Sequence, residues 1–315
     1  MPAPDASQLA ANVVDIRRFS THDGAGIRTT VFLKGCSLAC QWCQNPETME
    51  PRMGPVFFRK KCIDCMLCVT NATHGEATVD DDGHVEVDIT VHEADWLAQV
   101  NRCPTGAITF NATRHTVAEL VEILKRDEVF FGNGGGVTLS GGEPLFMPHF
   151  AAALLQALKA EGINTAIETA LNVRTEFLLE ALPYTDHVFA DCKLIDPVQH
   201  KRWIGHDNEL ILKNLAVLLT GDRRDDVTVR TPMIPTVTDT VENIEGIARH
   251  ISGLYPDVRY ELLNYNPMAA AKYDVLPTRT FLFERERNPT MYSALQMDSF
   301  RQQARRAGVR NLVEV

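Results

Sequence analysis

Apolar and polar positions along this chain change period again and again after residue 27. IRTTVFLKG (27–35) is rich in β-branched residues, which suit a pleated, half-buried surface. In TVAELVEILKRDEVFF (116–131), apolar residues recur at Val117, Leu120, Val121 and Leu124, and Thr116 pairs with Glu119 as a capping box. That pattern predicts a helix. GGGVTLSGGEP (134–144) predicts a short strand between glycine clusters. A helix follows from about Pro148 to about Lys159, with Pro148 in its first turn and Gly162 just past its end. Strand-like runs INTAIET (163–169), HVFADCK (187–193), DVTVRTPMI (226–234) and RYELLNY (259–265) then alternate with helical stretches near 174–182, 209–219 and 240–252. The stretch 291–307 predicts one more helix after the last strand. Six strand–helix units predict a parallel α/β sheet or barrel, and six instead of eight predict one that stays open on one side.

Composition narrows the class. At 315 residues, with 45% apolar and 23% charged residues, the chain has the make-up of a globular protein with a large core. A net charge of −10 argues against nucleic acid as the main partner, despite the local run Arg59-Lys60-Lys61. The N-terminal residues lack the charged and apolar regions of a signal peptide, and no apolar run approaches the ~20 residues of a membrane span. A cytoplasmic protein with no membrane partner is expected.

In a reducing compartment the eight cysteines are read as metal ligands before disulfides. Seven form two groups. KCIDCMLC places Cys62, Cys65 and Cys68 in a C-x2-C-x2-C run, and Cys103-Pro104 follows far downstream. Two-cluster ferredoxins carry such a run, with the remote cysteine of one run completing the other cluster. The second ligand set of that architecture would fall at Ala72, Glu93, Trp96 and Gln99. One set is complete and the other wholly absent, which predicts a ferredoxin-like insert with a single [4Fe–4S] cluster. A zinc ion on four cysteines is the alternative, although zinc sites usually pair two C-x2-C runs.

The other group, Cys36, Cys40 and Cys43 in GCSLACQWC, has no fourth cysteine nearby. A cluster held by three thiolates leaves one iron open, as a catalytic metal site keeps a vacant position. An electron carrier has no use for that vacancy and an enzyme does. The polar residues at the ends of the predicted strands point to the same place. Gly141-Gly142-Glu143-Pro144 follows strand two, Glu168-Thr169 ends strand three and Asp191-Cys192-Lys193 ends strand four. Arg230 lies within strand five, and Asn264 to Asn266 end strand six. Barrel enzymes build their sites on that rim. The fold expected is therefore a partial (β/α)6 TIM-like barrel over 12–51 and 111–315, with the ferredoxin-like insert over 52–110.

CSLACQWC resembles the C-x3-C-x-Φ-C signature of the radical S-adenosylmethionine (SAM) superfamily, with Trp42 as the aromatic residue. More narrowly, residues 19–47, residues 132–145 and the insert resemble glycyl-radical-enzyme activating enzymes of the pyruvate formate-lyase-activating type. The resemblance implies that SAM chelates the open iron of the Cys36/Cys40/Cys43 cluster. It implies that Gly141, Gly142 and Glu143 receive the methionyl ammonium, that Lys193 meets the SAM carboxylate and that Trp42 lies against the adenine. Glu168, Thr169 and Asp191 match positions tied to a monovalent cation and the SAM polar groups. Relatives often have Asp where Glu168 stands, and Asn266 stands where they show His near SAM. Asp23 and Arg28, in THDGAGIR, are candidates for contacting a partner's glycine loop or the SAM polar groups, and Tyr273 with Lys272 for packing near the site.

The activity so implied is reductive cleavage of SAM to a 5′-deoxyadenosyl radical that removes a hydrogen from a backbone glycine of a partner enzyme. The insert cluster would relay electrons from a reduced flavodoxin or ferredoxin. Two other readings stand beside it: a radical SAM enzyme acting on a small molecule, and a non-catalytic two-cluster electron carrier. Cys192 is read as a small buried hydrophobe, and His187, His200 and His206, which show no ligand spacing, as structural or exposed.

Overall fold

The computed structural model describes residues 5–313 apart from 89, 92, 133, 274–275, 277–280 and 285–286. In chain order its strands are β1 (Ala10–Ser20), β2 (Arg28–Leu33), β3 (Pro55–Phe57), β4 (Ala77–Val79), β5 (Val85–Val87), β6 (Ile108–Phe110) and β7 (Thr113–Thr116). There follow β8 (Gly136–Gly141), β9 (Asn164–Thr169), β10 (His187–Asp191), β11 (Val227–Pro232), β12 (Arg259–Leu263) and β13 (Asn311–Val313). Nine of them make one open sheet in the order β13-β12-β11-β10-β9-β8-β2-β1-β7.

From β2 through β13 neighbouring strands run parallel, while β1 pairs antiparallel with both β2 and β7. The six parallel strands expected from the sequence are β2 and β8 to β12. The structure adds a seventh, β13, and an antiparallel margin of β1 and β7. These escaped the sequence reading because β13 and β7 are three and four residues long, and β1 is half polar along its length.

The long parallel strands have one apolar and one polar face. Val31 and Leu33, Val137 and Leu139, Ile167, Val188 and Ala190, Val229 and Leu262 share a single buried cluster with residues of the intervening helices, among them Leu120, Leu154, Leu158, Leu178, Leu215, Leu218, Ile244, Ile247 and Ile251. This alternation is the strand period of two, with helices covering one side. The opposite phase carries Arg28 and Thr30, Thr138 and Ser140, Glu168, Asp191, Arg230 and Glu261. A sheet whose second face is polar has prepared that face for a ligand or for its own chain.

Helices Pro148–Ala160, Thr175–Ala181, Glu209–Thr220, Val241–Leu254 and Ala294–Arg306 stand where the periodicity predicts them. The helix expected over 116–131 is broken into Val117–Lys125 and Glu128–Phe131. Its capping box at Thr116 and Glu119 is formed. The break is at Asp127, a buried carboxylate that accepts from Thr29 Oγ1 at 3.0 Å and pairs with Arg18 at 2.9 Å. A carboxylate tied to two neighbouring strands cannot also follow a solvent-facing helical path.

Between Pro55 and Phe110 the chain forms two small antiparallel pairs of its own, β3 with β6 and β4 with β5, and helices Leu67–Thr70 and Glu93–Arg102. Among the described residues no helix is long and apolar enough to cross a membrane.

Candidate active site

The C-x3-C-x2-C loop leaves the C-terminal end of β2 and is anchored on all sides. Gly35 N and Cys36 N donate to Thr48 O and Met49 O at 2.7 and 3.1 Å. Ala39 N and Gln41 N donate to Ile204 O and Trp203 O, at the end of helix Pro197–Ile204. From the far end of the chain, Leu282 N donates to Gln41 O and Tyr273 Oη to Cys43 O at 3.1 Å. Lys272 reaches Asn45 Oδ1 and Glu47 Oε1 at 2.8 and 2.6 Å. Tyr273 and Lys272 thus do pack at the cysteine loop, as its clasp.

Burial pushes the Cys36 thiol up to about 12 and raises Cys40 and Cys43 as well. Lys193 acts against that rise at all three. Thiols held this high ionise against a bound cation, which a coordinating metal supplies. The donor set therefore fits a thiolate-bound iron–sulfur cluster.

Gly141-Gly142-Glu143 is locked to the same loop through backbone. Gly142 N donates to Leu33 O at 3.0 Å and Glu143 N to Gly35 O at 2.8 Å. A Cβ at Gly141, where φ is +115°, would meet the Leu33 backbone at 2.4 Å, and one at Gly142 would meet Gly35 O at 2.4 Å. Both positions need glycine because two main chains touch there. The Glu143 carboxylate is 1% exposed and engaged. It accepts from Leu145 N, Ala170 N and the Thr169 hydroxyl at 2.8–3.1 Å. Burial lifts its pKa to about 7 in spite of these donors. Three protein donors share its roughly four acceptor sites, so the carboxylate expected to receive an ammonium is chiefly committed to tying the glycine turn to the end of β9. Thr169 is engaged with it, donating to Glu143 and accepting from Leu171 N at 3.0 Å.

On the polar face, Asp191, Arg230 and Glu261 sit side by side in register on β10, β11 and β12. Arg230 is the centre of this layer. It donates to Glu261 and Glu168 at 2.6 Å each and to His22 O at 2.9 Å, with its guanidinium 3.5 Å from the centroid of the Phe189 ring. Burial opposes its charge, but Glu168 and Glu261 overcome that and raise its pKa. Glu168 also accepts from Ser140 Oγ at 2.5 Å. The sequence reading located Arg230 and gave it no role, and it passed over Glu261. The available signal was two opposite charges at the same phase of adjacent, otherwise apolar strands. Lys193 is paired with Asp191; burial works to lower its pKa, and Asp191 together with Cys40 and Cys36 more than offsets that and raises it.

Trp42 is corrected as well. At 3% exposure it belongs to the main core cluster, so its ring has no open face for a nucleobase. Asn266 is exposed and caps the turn Pro267–Ala269 through Met268 N. Asp23 lies over the polar face, accepting from Thr30 at 2.5 Å through its side chain and from Thr138 at 2.7 Å through its carbonyl.

Arg28 does not reach the surface. It is 1% exposed at the start of β2, the end remote from the cysteines. It donates to Thr138 Oγ1, Val137 O and Asn164 Oδ1 at 2.7–2.9 Å, and burial lowers its pKa to about 10. The expected partner contact is thus corrected to a structural clamp joining β2, β8 and β9. Arg28→Met should destabilise the fold by about 2–5 kcal/mol, because buried acceptors lose their donor. A thermal melt checks this, and an unchanged midpoint would return Arg28 to the surface reading.

In the insert, Cys62, Cys65, Cys68 and Cys103 line one cavity together with Phe57, Ile63, Leu67, Val85 and Ile108. Asp64 and Met66 alternate with the cysteines at φ of +49° and +61°, curling the chain around it. Ile108 N and Thr105 donate toward Cys103 Sγ and, against burial, hold its thiol below the usual range. Of the positions where a second ligand set would stand, Trp96 is fully buried and Gln99 is 1% exposed. Gln99 Nε2 donates to Asn71 O at 2.8 Å. Among the described residues, no three histidine, cysteine or carboxylate side chains converge closely enough to hold one metal ion.

Comparison with known proteins places this geometry. The sequence profile of the radical SAM superfamily matches residues 30–251. An indoleacetate decarboxylase activating enzyme of Tractidigestivibacter scatoligenes is 39% identical over 284 residues, 85% of this chain and 87% of that one. An isethionate sulfite-lyase activating enzyme of Oleidesulfovibrio alaskensis is 38% identical over 83% and 85% of the two chains. A (2S)-3-sulfopropanediol dehydratase activating enzyme of Klebsiella oxytoca is 38% identical over 84% of each. Among solved structures, a radical SAM methyltransferase from Sphaerobacter thermophilus aligns with a TM-score of 0.52 at 16% identity, over 96% of this chain and 76% of that one. That last likeness speaks for the fold alone.

Proposed function

The chain belongs to the radical SAM superfamily, among the activating enzymes of glycyl radical enzymes, and from that premise we propose how its residues install a radical on a partner's backbone glycine. The observation that carries the reading is the cysteine loop itself: three thiols, no fourth beside them, and the charge of Lys193 acting on all three. The three thiolates would hold a [4Fe–4S] cluster, which when bound would supply the electron for reductive cleavage of SAM to methionine and a 5′-deoxyadenosyl radical.

Each residue has a part around that chemistry. Cys36, Cys40 and Cys43 hold the cluster. Lys193 meets the methionyl carboxylate as a buried ammonium kept charged by Asp191. The backbone of Gly141 and Gly142 faces the methionyl ammonium, and Glu143 fixes that turn without touching it. Of the carboxylates matched to a monovalent cation, Glu168 is engaged by Arg230 and Ser140 and Asp191 by Lys193. Asp23, on the segment that crosses the polar face, is the remaining candidate for meeting the partner's glycine loop. Arg230 holds that segment through His22 O.

The insert over 52–110 is read as a single-cluster iron–sulfur module. Two observations support this: four cysteines line one cavity, and Trp96 and Gln99 occupy positions where a second set would need thiols. The C-x2-C-x2-C run with a remote Cys-Pro is the spacing of a ferredoxin-type cluster, whereas zinc sites usually pair two C-x2-C runs. Four thiolates leave no open iron, so its work is to relay electrons from a reduced flavodoxin or ferredoxin.

The test is direct. Reconstituted anaerobically with SAM and a reductant, the chain should form 5′-deoxyadenosine and raise a glycyl radical signal in a partner glycyl radical enzyme by electron paramagnetic resonance. Nucleoside formed without any radical in a panel of such partners would favour a small-molecule substrate.

A further inference from the structure

Glu261 is 4% exposed on β12, and its Oε2 accepts from Arg230 Nε at 2.6 Å. A buried ion pair is weak evidence for stability, because desolvation offsets much of its attraction and apolar side chains of like volume often serve as well. What two carboxylates around one guanidinium do provide is direction. All three nitrogens of Arg230 are assigned: Nε to Glu261, Nη1 to Glu168 at 2.6 Å and Nη2 to His22 O at 2.9 Å. The guanidinium is a rigid planar fork, so fixing Nε and Nη1 fixes where Nη2 points. His22 lies in the segment 21–27, which joins β1 to β2 without helix or strand. Three strands, β8, β9 and β10, stand between β2 and β11 in the sheet. Thr30 on β2 and Thr138 on β8 hold Asp23 from the near side, and Arg230 on β11 holds His22 from the far side. The segment is thereby stretched across the polar face.

We propose that Glu261 is a positioning residue for radical transfer: it aims Arg230 at His22 O and so holds His22 and Asp23 in place for the partner's glycine loop. The proposal rests on reading this chain as an activating enzyme whose Asp23 meets that loop. The effect of Glu261 passes through two hydrogen bonds, from Arg230 Nε to its carboxylate and from Arg230 Nη2 to His22 O. Without the first, the guanidinium can turn about its contact with Glu168, and Nη2 leaves His22 O. Hydrogen abstraction needs the glycine Cα–H at contact distance from the radical, and about 1 Å of misplacement can cost about a hundredfold. The 5′-deoxyadenosyl radical then takes its hydrogen atom from a C–H bond of the buffer, and nucleoside forms without a glycyl radical.

The experiment reads glycyl radical, by electron paramagnetic resonance, against 5′-deoxyadenosine, by chromatography. Both come from one anaerobic reaction with SAM, a reductant and a partner glycyl radical enzyme that the wild-type chain activates. Glu261→Leu should lower the ratio of radical to nucleoside about tenfold. Glu261→Gln keeps an acceptor for Arg230 Nε and should stay within about threefold of wild type. Arg230→Lys keeps a cation beside Glu168 and Glu261, but an ammonium lacks the fork that also reaches His22 O, so the ratio should again fall about tenfold. That variant decides the matter if Glu261→Leu does not fold. An unchanged ratio in either would overturn the proposal. Radical and nucleoside falling together would overturn it too, since that is what a structural or SAM-binding role predicts. A wild-type chain that forms nucleoside and raises no radical in any partner is a separate result, and would mean that the activating reading itself has failed.

Discussion

Cys36→Ala is expected to abolish 5′-deoxyadenosine formation, with a loss of at least about a thousandfold, because even second-shell partners of a metal site commonly cost about 10–100-fold. The substitution removes a sulfur and little else. The loop is held by backbone, through Cys36 N to Met49 O, Ala39 N to Ile204 O and Gln41 N to Trp203 O, and alanine keeps all three. No other thiol can stand in. Cys192 is 1% exposed in the core, and Cys62 belongs to the insert cavity. The assay is anaerobic, with a strong reductant and SAM, and product is read by chromatography. Turnover persisting in this variant would remove the three-cysteine loop from the chemistry altogether. Cys192→Ala is the matched control, a core thiol whose loss should leave product formation in place.

Cys103→Ala should separate the two cysteine groups. Iron is expected to fall from about eight to about four per chain. SAM cleavage driven by a small reductant should survive, while glycyl radical installation driven by a protein carrier should become the slow step. An unchanged installation rate would end the relay role of the insert. About twelve irons in the wild-type chain would overturn the single-cluster reading, for which Trp96 and Gln99 are the structural argument.

The site was legible in the sequence wherever its chemistry is local. Three thiols within eight residues must share a loop, and a ferredoxin-type run declares its missing members by counting. The place of Lys193 was legible too, because charged residues at a strand end mark the rim of an α/β sheet. Glu143, Thr169, Trp42 and Arg28 were the harder cases. Their side chains turn to the protein interior, where Glu143, Thr169 and Arg28 are hydrogen-bonded and Trp42 packs in the core.

The sequence by itself thus determined the two groups of cysteines, the alternation of six parallel strands with helices, and the absence of cysteine at positions 72, 93, 96 and 99 of the insert. All of these depend on spacing along one chain. Only the tertiary structure decided that Arg28 is a buried clamp, that Arg230 and Glu261 form the charged layer beside the site, and that Lys272 and Tyr273 clasp the cysteine loop from about 230 residues away. Those facts depend on strand register and on which segments cross the polar face of the sheet. Hydrophobic spacing along a single strand tells which side chains face inward together, but not which neighbouring strand, or which distant loop, will lie against them.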